Sequence, residues 1–135
     1  MAAKKVESGL VDHEDALVGR WREILAVHAR TTCELDRELH QHGLGASDFE
    51  VLDVLAQADS SYRVQELSGQ VHLSQSALSR LVARLEKEGL LTRGMCSSDR
   101  RGVQVALTEK GRALYTEVRP LQRAVLERTL GRTTR

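Results

Sequence analysis

The stretch Ser74-Gln75-Ser76-Ala77-Leu78-Ser79-Arg80-Leu81-Val82-Ala83-Arg84-Leu85-Glu86-Lys87-Glu88-Gly89 decides the fold. At about 100° per residue, Leu78, Leu81, Val82 and Leu85 share one face of a helix over Gln75–Glu88 and form a stripe for burial. The opposite side carries Ser76, Ser79, Arg80, Ala83 and Lys87, with Arg84 on its flank. That face is small, polar and basic, so it can approach a major groove closely and offer donors to phosphates and base edges. A merely solvated helix would carry the same apolar stripe, but its outer face would usually mix both signs of charge. Here the carboxylates, Glu86 and Glu88, stand only at the C-terminal flank. Ser74 is a suitable N-cap, and Gly89 suits a left-handed cap at the other end.

Upstream, Val64 to Val71 predicts a helix with Val64, Leu67 and Val71 inward, separated from the first by a tight break at His72-Leu73. Before it, Ser47-Asp48-Phe49-Glu50 has the pattern of a capping box, followed by a short helix with Phe49, Leu52, Leu55 and Ala56 on one face. Gln57 to Arg63 reads as a polar loop. From about Val11 to His42 runs one long helical pattern, with Leu17, Trp21, Ile24, Leu25, His28, Leu35 and Leu39 recurring near helical spacing, ended by Gly43 and Gly45. Such a helix is about 45 Å long, more than a small globule can bury against itself, so packing on another chain is expected. Residues 1–10 read as a flexible tail.

Downstream, Leu90 to Arg93 and Val103 to Leu107 read as short strands around a polar, basic tip, Gly94 to Gly102. Thr108 caps a last helix whose stripe is Leu114, Val118, Leu121, Val125 and Leu126, with a kink expected at Pro120. The fold class is mainly α with a small β-hairpin: a winged helix-turn-helix over 46–108, with long N- and C-terminal dimerisation helices over 11–42 and 109–135.

Composition narrows the function. The 135 residues are 41% apolar and 29% charged, with four aromatics, Trp21, Phe49, Tyr62 and Tyr115, so the core must be built from Leu, Val and Ala. The formal net charge of +1 conceals an acidic part over 1–59 and basic parts over 60–112 and 113–135. One region thus suits a polyanion while another avoids it. The two cysteines, Cys33 and Cys96, are far apart, which disfavours a disulfide framework or a Cys-rich zinc site. His40 and His42 do not share a helix face, and a metal site is not expected. Nor is a cofactor or a catalytic residue: no GxSxG, Walker A, HExxH or GxGxxG pattern occurs. With no apolar run of membrane length and no secretory signal, a cytoplasmic protein with no membrane partner is expected.

Three stretches together carry a family resemblance: Glu66-Leu67 through Arg80; Leu85-Glu86-Lys87-Glu88-Gly89-Leu90-Leu91-Thr92-Arg93; and Asp99-Arg100-Arg101 through Leu107-Thr108-Glu109-Lys110-Gly111. The chain resembles the MarR (multiple antibiotic resistance regulator) family of bacterial transcription factors, over about residues 12 to 131. The resemblance implies a homodimer on a double-stranded DNA operator, each recognition helix in a major groove and each wing tip in a minor groove. It also implies repression relieved by a small aromatic ligand or an oxidant. Carried over, Ser74, Gln75, Ser76, Ser79, Arg80 and Arg84 lie on the recognition helix. Arg101 matches the minor-groove arginine and Asp99 the carboxylate that holds it, while Arg100 is expected on phosphate or in solvent.

Trp21 and His28 are the candidates for a ligand pocket, against the alternative that both simply pack. Cys96, beside several arginines, is the better placed of the two thiols for a redox role, although a thiol with no sensing role is the commoner case. Two departures stand out. Arg63 occupies a position where the family often has a capping Thr or Ser. The family pattern also continues with a further helix, where this sequence has only Leu130 to Arg135, which leaves three expectations: a weakened dimer, a dimer that leans on the long first helix, or a truncated product. The rival readings are a protein-interaction winged helix that pairs with and antagonises another regulator, and a dimerisation module detached from an enzyme, against which the basic wing argues.

Overall fold

In the computed structural model the backbone is described for residues 2–58, 61–96 and 99–131, and side chains for 9–58, 61–94 and 103–131. Helix α1 spans Ala2–Leu39 and passes through a 3-10 turn, His40–His42, to Gly43, whose φ of 73° closes it. Residues 2–10, part of the stretch expected as a tail, lie in α1. No proline interrupts that segment, and alanine and lysine are good helix formers. The helix is about 57 Å long at 1.5 Å per residue.

Helix α2 spans Ala46–Ala58. It does not start with the capping box read from Ser47 and Glu50. The Ala46 amide donates to Asp36 Oδ1 of α1 (2.8 Å) and the Gly45 amide to Asp48 Oδ2 (2.8 Å). Asp48, three residues into the helix, reaches back to the capping amide as the acidic partner of a capping box does, and a residue of another helix supplies the remaining acceptor.

Strand β1, Tyr62–Arg63, lies where a loop was expected. It pairs antiparallel with β3, Asp99–Leu107, which also pairs with β2, Leu91–Cys96, giving the order β1-β3-β2. The register sets Tyr62 opposite Val105, Leu91 opposite Leu107 and Gly94 opposite Gln104, with an irregularity between Met95 and Cys96. Both hairpin strands run further toward the tip than sequence alternation implied. Polar residues there satisfy their backbone groups by cross-strand pairing even without an apolar pattern.

Helices α3, Val64–Val71, and α4, Gln75–Lys87, follow the expected bounds. Arg63 precedes α3 with no side-chain cap, as its non-capping chemistry foretold. Helix α5, Glu109–Leu130, continues through Pro120. The core gathers Phe49, Leu52 and Leu55 of α2, Leu67 of α3, Leu78, Val82 and Leu85 of α4, Val105 of β3 and Val118 of α5 around the winged helix. Phe49 stacks on Tyr115 with ring centres 5.5 Å apart. The Tyr115 hydroxyl donates to Asp53 Oδ1 (2.6 Å), which also accepts from Arg123 (3.0 Å), tying α5 to α2. Burial, and then Asp53, push the Tyr115 hydroxyl above its usual pKa.

The α3–α4 turn holds His72 at φ 56°, ψ 41°, a left-handed conformation that a β-carbon disfavours. His72→Gly should therefore raise stability by about 0.5–1 kcal/mol, after subtracting glycine's greater chain entropy. Thermal denaturation of the two proteins checks this; a lower melting temperature would mean that the imidazole stabilises the turn by more than the backbone strain costs.

Candidate nucleic-acid interface

Helix α4 is positioned at both ends by local chemistry. Ser74 Oγ accepts from the Ala77 amide (3.2 Å) and caps the start. At the finish, Gly89 at φ 82° sends its amide to Glu86 O (3.0 Å), and Leu90 sends its amide to Leu85 O (2.9 Å). These two bonds are the Schellman pair and satisfy carbonyls that the helix end leaves over. With Leu78, Val82 and Leu85 buried and Leu81 half-buried beneath it, the helix can present only its other side. Ser74, Gln75, Ser76, Ser79, Arg80 and Arg84 are all exposed, as are Ala83 and Lys87.

The basic side chains divide into two sets. Arg84 bonds Asp48 Oδ1, a buried carboxylate at the start of α2, and lies 3.6 Å from Glu88. Arg93 of β2 gives Glu86 three bonds, from its amide (3.1 Å), Nε (3.2 Å) and Nη2 (3.0 Å). Those bonds hold the Glu86 carboxyl below its usual pKa and fasten the end of α4 to the wing. The Glu86–Arg93 pair gives the glutamate and arginine of the second sequence motif a structural task. By contrast, Arg80 and Lys87 have no carboxylate partner among the described residues. Arg84 thus doubles as a tie to α2, a role its sequence position did not reveal, and Arg80 is the guanidinium at liberty on the outer face.

Asp99, Arg100 and Arg101 stand at the start of β3, the returning arm of the wing that leads to α5, with Asp99 opposite Cys96 in register. Their side chains, and that of Cys96, lie outside the described ones. Cys33 is an exposed free thiol on α1. Among the described residues no group of His, Cys, Asp and Glu could hold a metal ion, and no helix is long and apolar enough to cross a membrane.

The two residues read as a ligand pocket separate. His28 lines a groove of about 1020 Å³ between α1, the first turn of α2, the α3–α4 turn and the end of α5. Trp21 is not in its wall and is 56% exposed. The sequence reading missed Thr31, Glu50 and Leu73 in this groove. The polar break at Thr31 in an otherwise apolar stripe was the legible signal.

Comparison with known proteins agrees with this geometry. The family model described as MarR family matches residues 44–103, from just before α2 to the wing. The curated regulator MhqR of Bacillus subtilis is 29% identical over 86 residues, 64% of this chain but only 59% of its own length. The chain thus spans about three fifths of that relative. Among solved structures, Sco3205 of Streptomyces coelicolor, a MarR family transcriptional regulator crystallised in complex with DNA, is 30% identical with a TM-score of 0.76, covering 87% of this chain and 73% of that one. AbsC, a MarR family transcriptional regulator also from Streptomyces coelicolor, is 32% identical with a TM-score of 0.79, covering 86% of this chain and 79% of that one. With helix-turn-helix, wing and long flanking helices matched at that identity and extent, the chain belongs to the MarR family of transcriptional regulators.

Proposed function

We propose that the chain is a sequence-specific DNA-binding transcriptional regulator, a cytoplasmic homodimeric repressor rather than an enzyme, whose hold on its operator is relieved by a small ligand. The observation that carries this is the outer face of α4: small, polar, exposed, and carrying Arg80 with no carboxylate partner among the described residues. An unpaired guanidinium beside Ser76 and Ser79 is free to bond a base edge or phosphate without first giving up an internal ion pair. The DNA complex of Sco3205 supports the same reading. On the reading proposed for this chain, Ser74, Gln75, Ser76, Ser79 and Arg80 face the major groove, and Arg101 reaches a minor groove, held by Asp99, with Arg100 on phosphate. The dimer rests on the apolar side chains that α1 leaves exposed, Leu17, Trp21, Ile24 and Leu25.

The test is a duplex selected from a randomised pool by the purified chain, followed by anisotropy titrations across a salt series. Arg80→Ala and Arg101→Ala should each weaken binding by about 1–3 kcal/mol with the fold intact. Arg84→Ala should do something different: it strands the buried Asp48 carboxylate and should lower stability by about 1–3 kcal/mol. Failure to select any duplex, or binding indifferent to Arg80 and Arg101, would overturn the reading. Loss of fold in Arg80→Ala would mean that the outer face has been wrongly assigned.

A further inference from the structure

A path of polar bonds leads from α1 to the recognition helix across one short joint. Only Gly43, Leu44 and Gly45 separate the 3-10 turn after α1 from the start of α2, and Gly43 is in the left-handed region. Two glycines in three residues make a soft connection. Two carboxylates stiffen it. Asp36, on the exposed side of α1, accepts from the Ala46 amide through Oδ1 (2.8 Å). Asp48, 5% exposed, accepts from the Gly45 amide through Oδ2 (2.8 Å) and from Arg84 of α4 through Oδ1. The two acids meet over one residue: a β-carbon on Gly45 would stand 3.4 Å from Asp36 Oδ1 and 3.6 Å from Asp48 Oδ2. The positive end of the α2 dipole and the Arg84 guanidinium compensate their charge. The same elements share a core, in which Leu35 and Leu39 of α1, Phe49 and Leu52 of α2, and Val82 and Leu85 of α4 are buried. Apolar contact is non-directional and follows area, so it holds these helices together while tolerating a small turn of one on another. A hydrogen bond weakens steeply as its angle closes, so the polar path resists that turn.

We propose that Asp36 and Asp48 are positioning residues: through Arg84 they set the angle of α4 against α1, and so the separation at which the two recognition helices of a dimer meet DNA. The middle of α1 carries the bare apolar surface available to a second copy, and its last turns carry Asp36. Rotation at the joint therefore moves α4 relative to the two-fold axis, and symmetry repeats the displacement on the other side. With the path intact, the two α4 helices stand at one spacing, suited to half-sites about one helical turn apart. With it broken, each winged helix stays folded and reads its own half-site, but the pair no longer prefers one spacing. What Asp36 supplies is an acceptor oxygen rather than a charge, so asparagine should serve in its place and alanine should not. The consequence for DNA rests on the function proposed above; the placement of α4 in the free dimer does not.

Two measurements on the intact chain test this. The first needs no DNA. In a Cys33→Ser, Cys96→Ser background, a spin label attached through Ser79→Cys on the outer face of α4 gives one inter-protomer distance per dimer by pulsed dipolar spectroscopy. The parent and Asp36→Asn should each give a narrow distribution, and Asp36→Ala one at least twice as wide. The second, on unlabelled protein, is anisotropy titration with the selected duplex, with versions that add or remove one or two base pairs between its half-sites, and with a single half-site. Wild type and Asp36→Asn should prefer the native spacing by at least tenfold. Asp36→Ala should lose at least fivefold of that preference while binding the single half-site within twofold of wild type. Equal distance widths in the parent and Asp36→Ala overturn the proposal, as does an undiminished spacing preference. So do equal losses in Asp36→Asn and Asp36→Ala, which would assign the effect to charge. A loss on the single half-site as large as on the whole duplex overturns it too, because the damage would then lie within the winged helix. If the chain selects no duplex, the regulator function falls, and the distance widths still decide whether these carboxylates position α4.

Discussion

Gly111→Ala is expected to cost about 3 kcal/mol of stability or more. A β-carbon at this position in the first turn of α5 would sit 2.1 Å from Leu90 O and 3.0 Å from Leu90 C, with Leu107 Cδ2 at 3.3 Å. The first two are backbone atoms with little room to give. Leu90 O accepts from the Thr108 amide (3.1 Å), and the Leu90 amide is itself committed to Leu85 O. Thr108 Oγ1 locks the same junction by donating to Gly89 O (2.6 Å) while accepting from the Gly111 amide (3.0 Å). Moving α5 away would strain the end of α4 and the start of β2 together. Urea unfolding followed by circular dichroism should show a large drop in midpoint with an unchanged slope. The control is Gly69→Ala, an exposed site inside α3 with nothing within 4 Å of the added carbon, which should stabilise by about 0.5–1 kcal/mol. Equal midpoints for wild type and Gly111→Ala would show that α5 can stand off from Leu90 at no cost.

The glycine illustrates which parts of this molecule could be read from its chain. The α4 stripe, the bounds of α3, the Ser74 and Thr108 caps and the left-handed Gly89 are all local: periodicity or a cap within three residues determines them, and the structure has them as expected. Misreadings arose where a distant residue competed for the same group. Ser47 and Glu50 have the spacing of a capping box, but α2 begins at Ala46, where Asp48 takes the Gly45 amide and Asp36, ten residues away on α1, takes the Ala46 amide. Strand β1 has only two residues and exists because β3, some forty residues later, offers an edge to pair with. Arg84 looked like one more groove-facing base because nothing in its neighbourhood discloses Asp48, 36 residues away and buried. The outer face of α4 was legible as a set. Its division into arginines already engaged and an arginine at liberty depends on tertiary partners that no window of sequence contains.

The double substitution Trp21→Glu with Ile24→Glu should turn a dimer into a monomer without unfolding it. On α1, Leu17, Trp21, Ile24 and Leu25 all stand in solvent, Trp21 56% and Ile24 52% exposed, while Leu35 and Leu39 of the same helix are buried against the chain's own core. A helix about 57 Å long with its C-terminal part in the core and its middle bare is built to be covered by something of matching apolar character. Leu130, at the end of α5, is exposed as well and lines the groove that the middle of α1 borders, extending the bare surface from one helix to the other. A second copy of the same helices is self-complementary by symmetry. Each large side chain fully covered contributes roughly 1.5–3 kcal/mol before entropy costs. The double substitution removes two such side chains from each protomer, four across the interface, so the dimer should weaken by about four orders of magnitude or more, and the introduced carboxylates would add repulsion across the two-fold axis. Because both side chains already face solvent in the single chain, its helicity should be unchanged. Sedimentation at micromolar concentration should show a dimer for the wild type and a monomer for the variant. On DNA the wild type should protect two half-sites about one helical turn apart, and the variant should lose that two-fold footprint. A wild-type chain that sediments as a monomer and protects one half-site would remove the dimer from the mechanism. A variant that stays dimeric would move the interface off this face of α1.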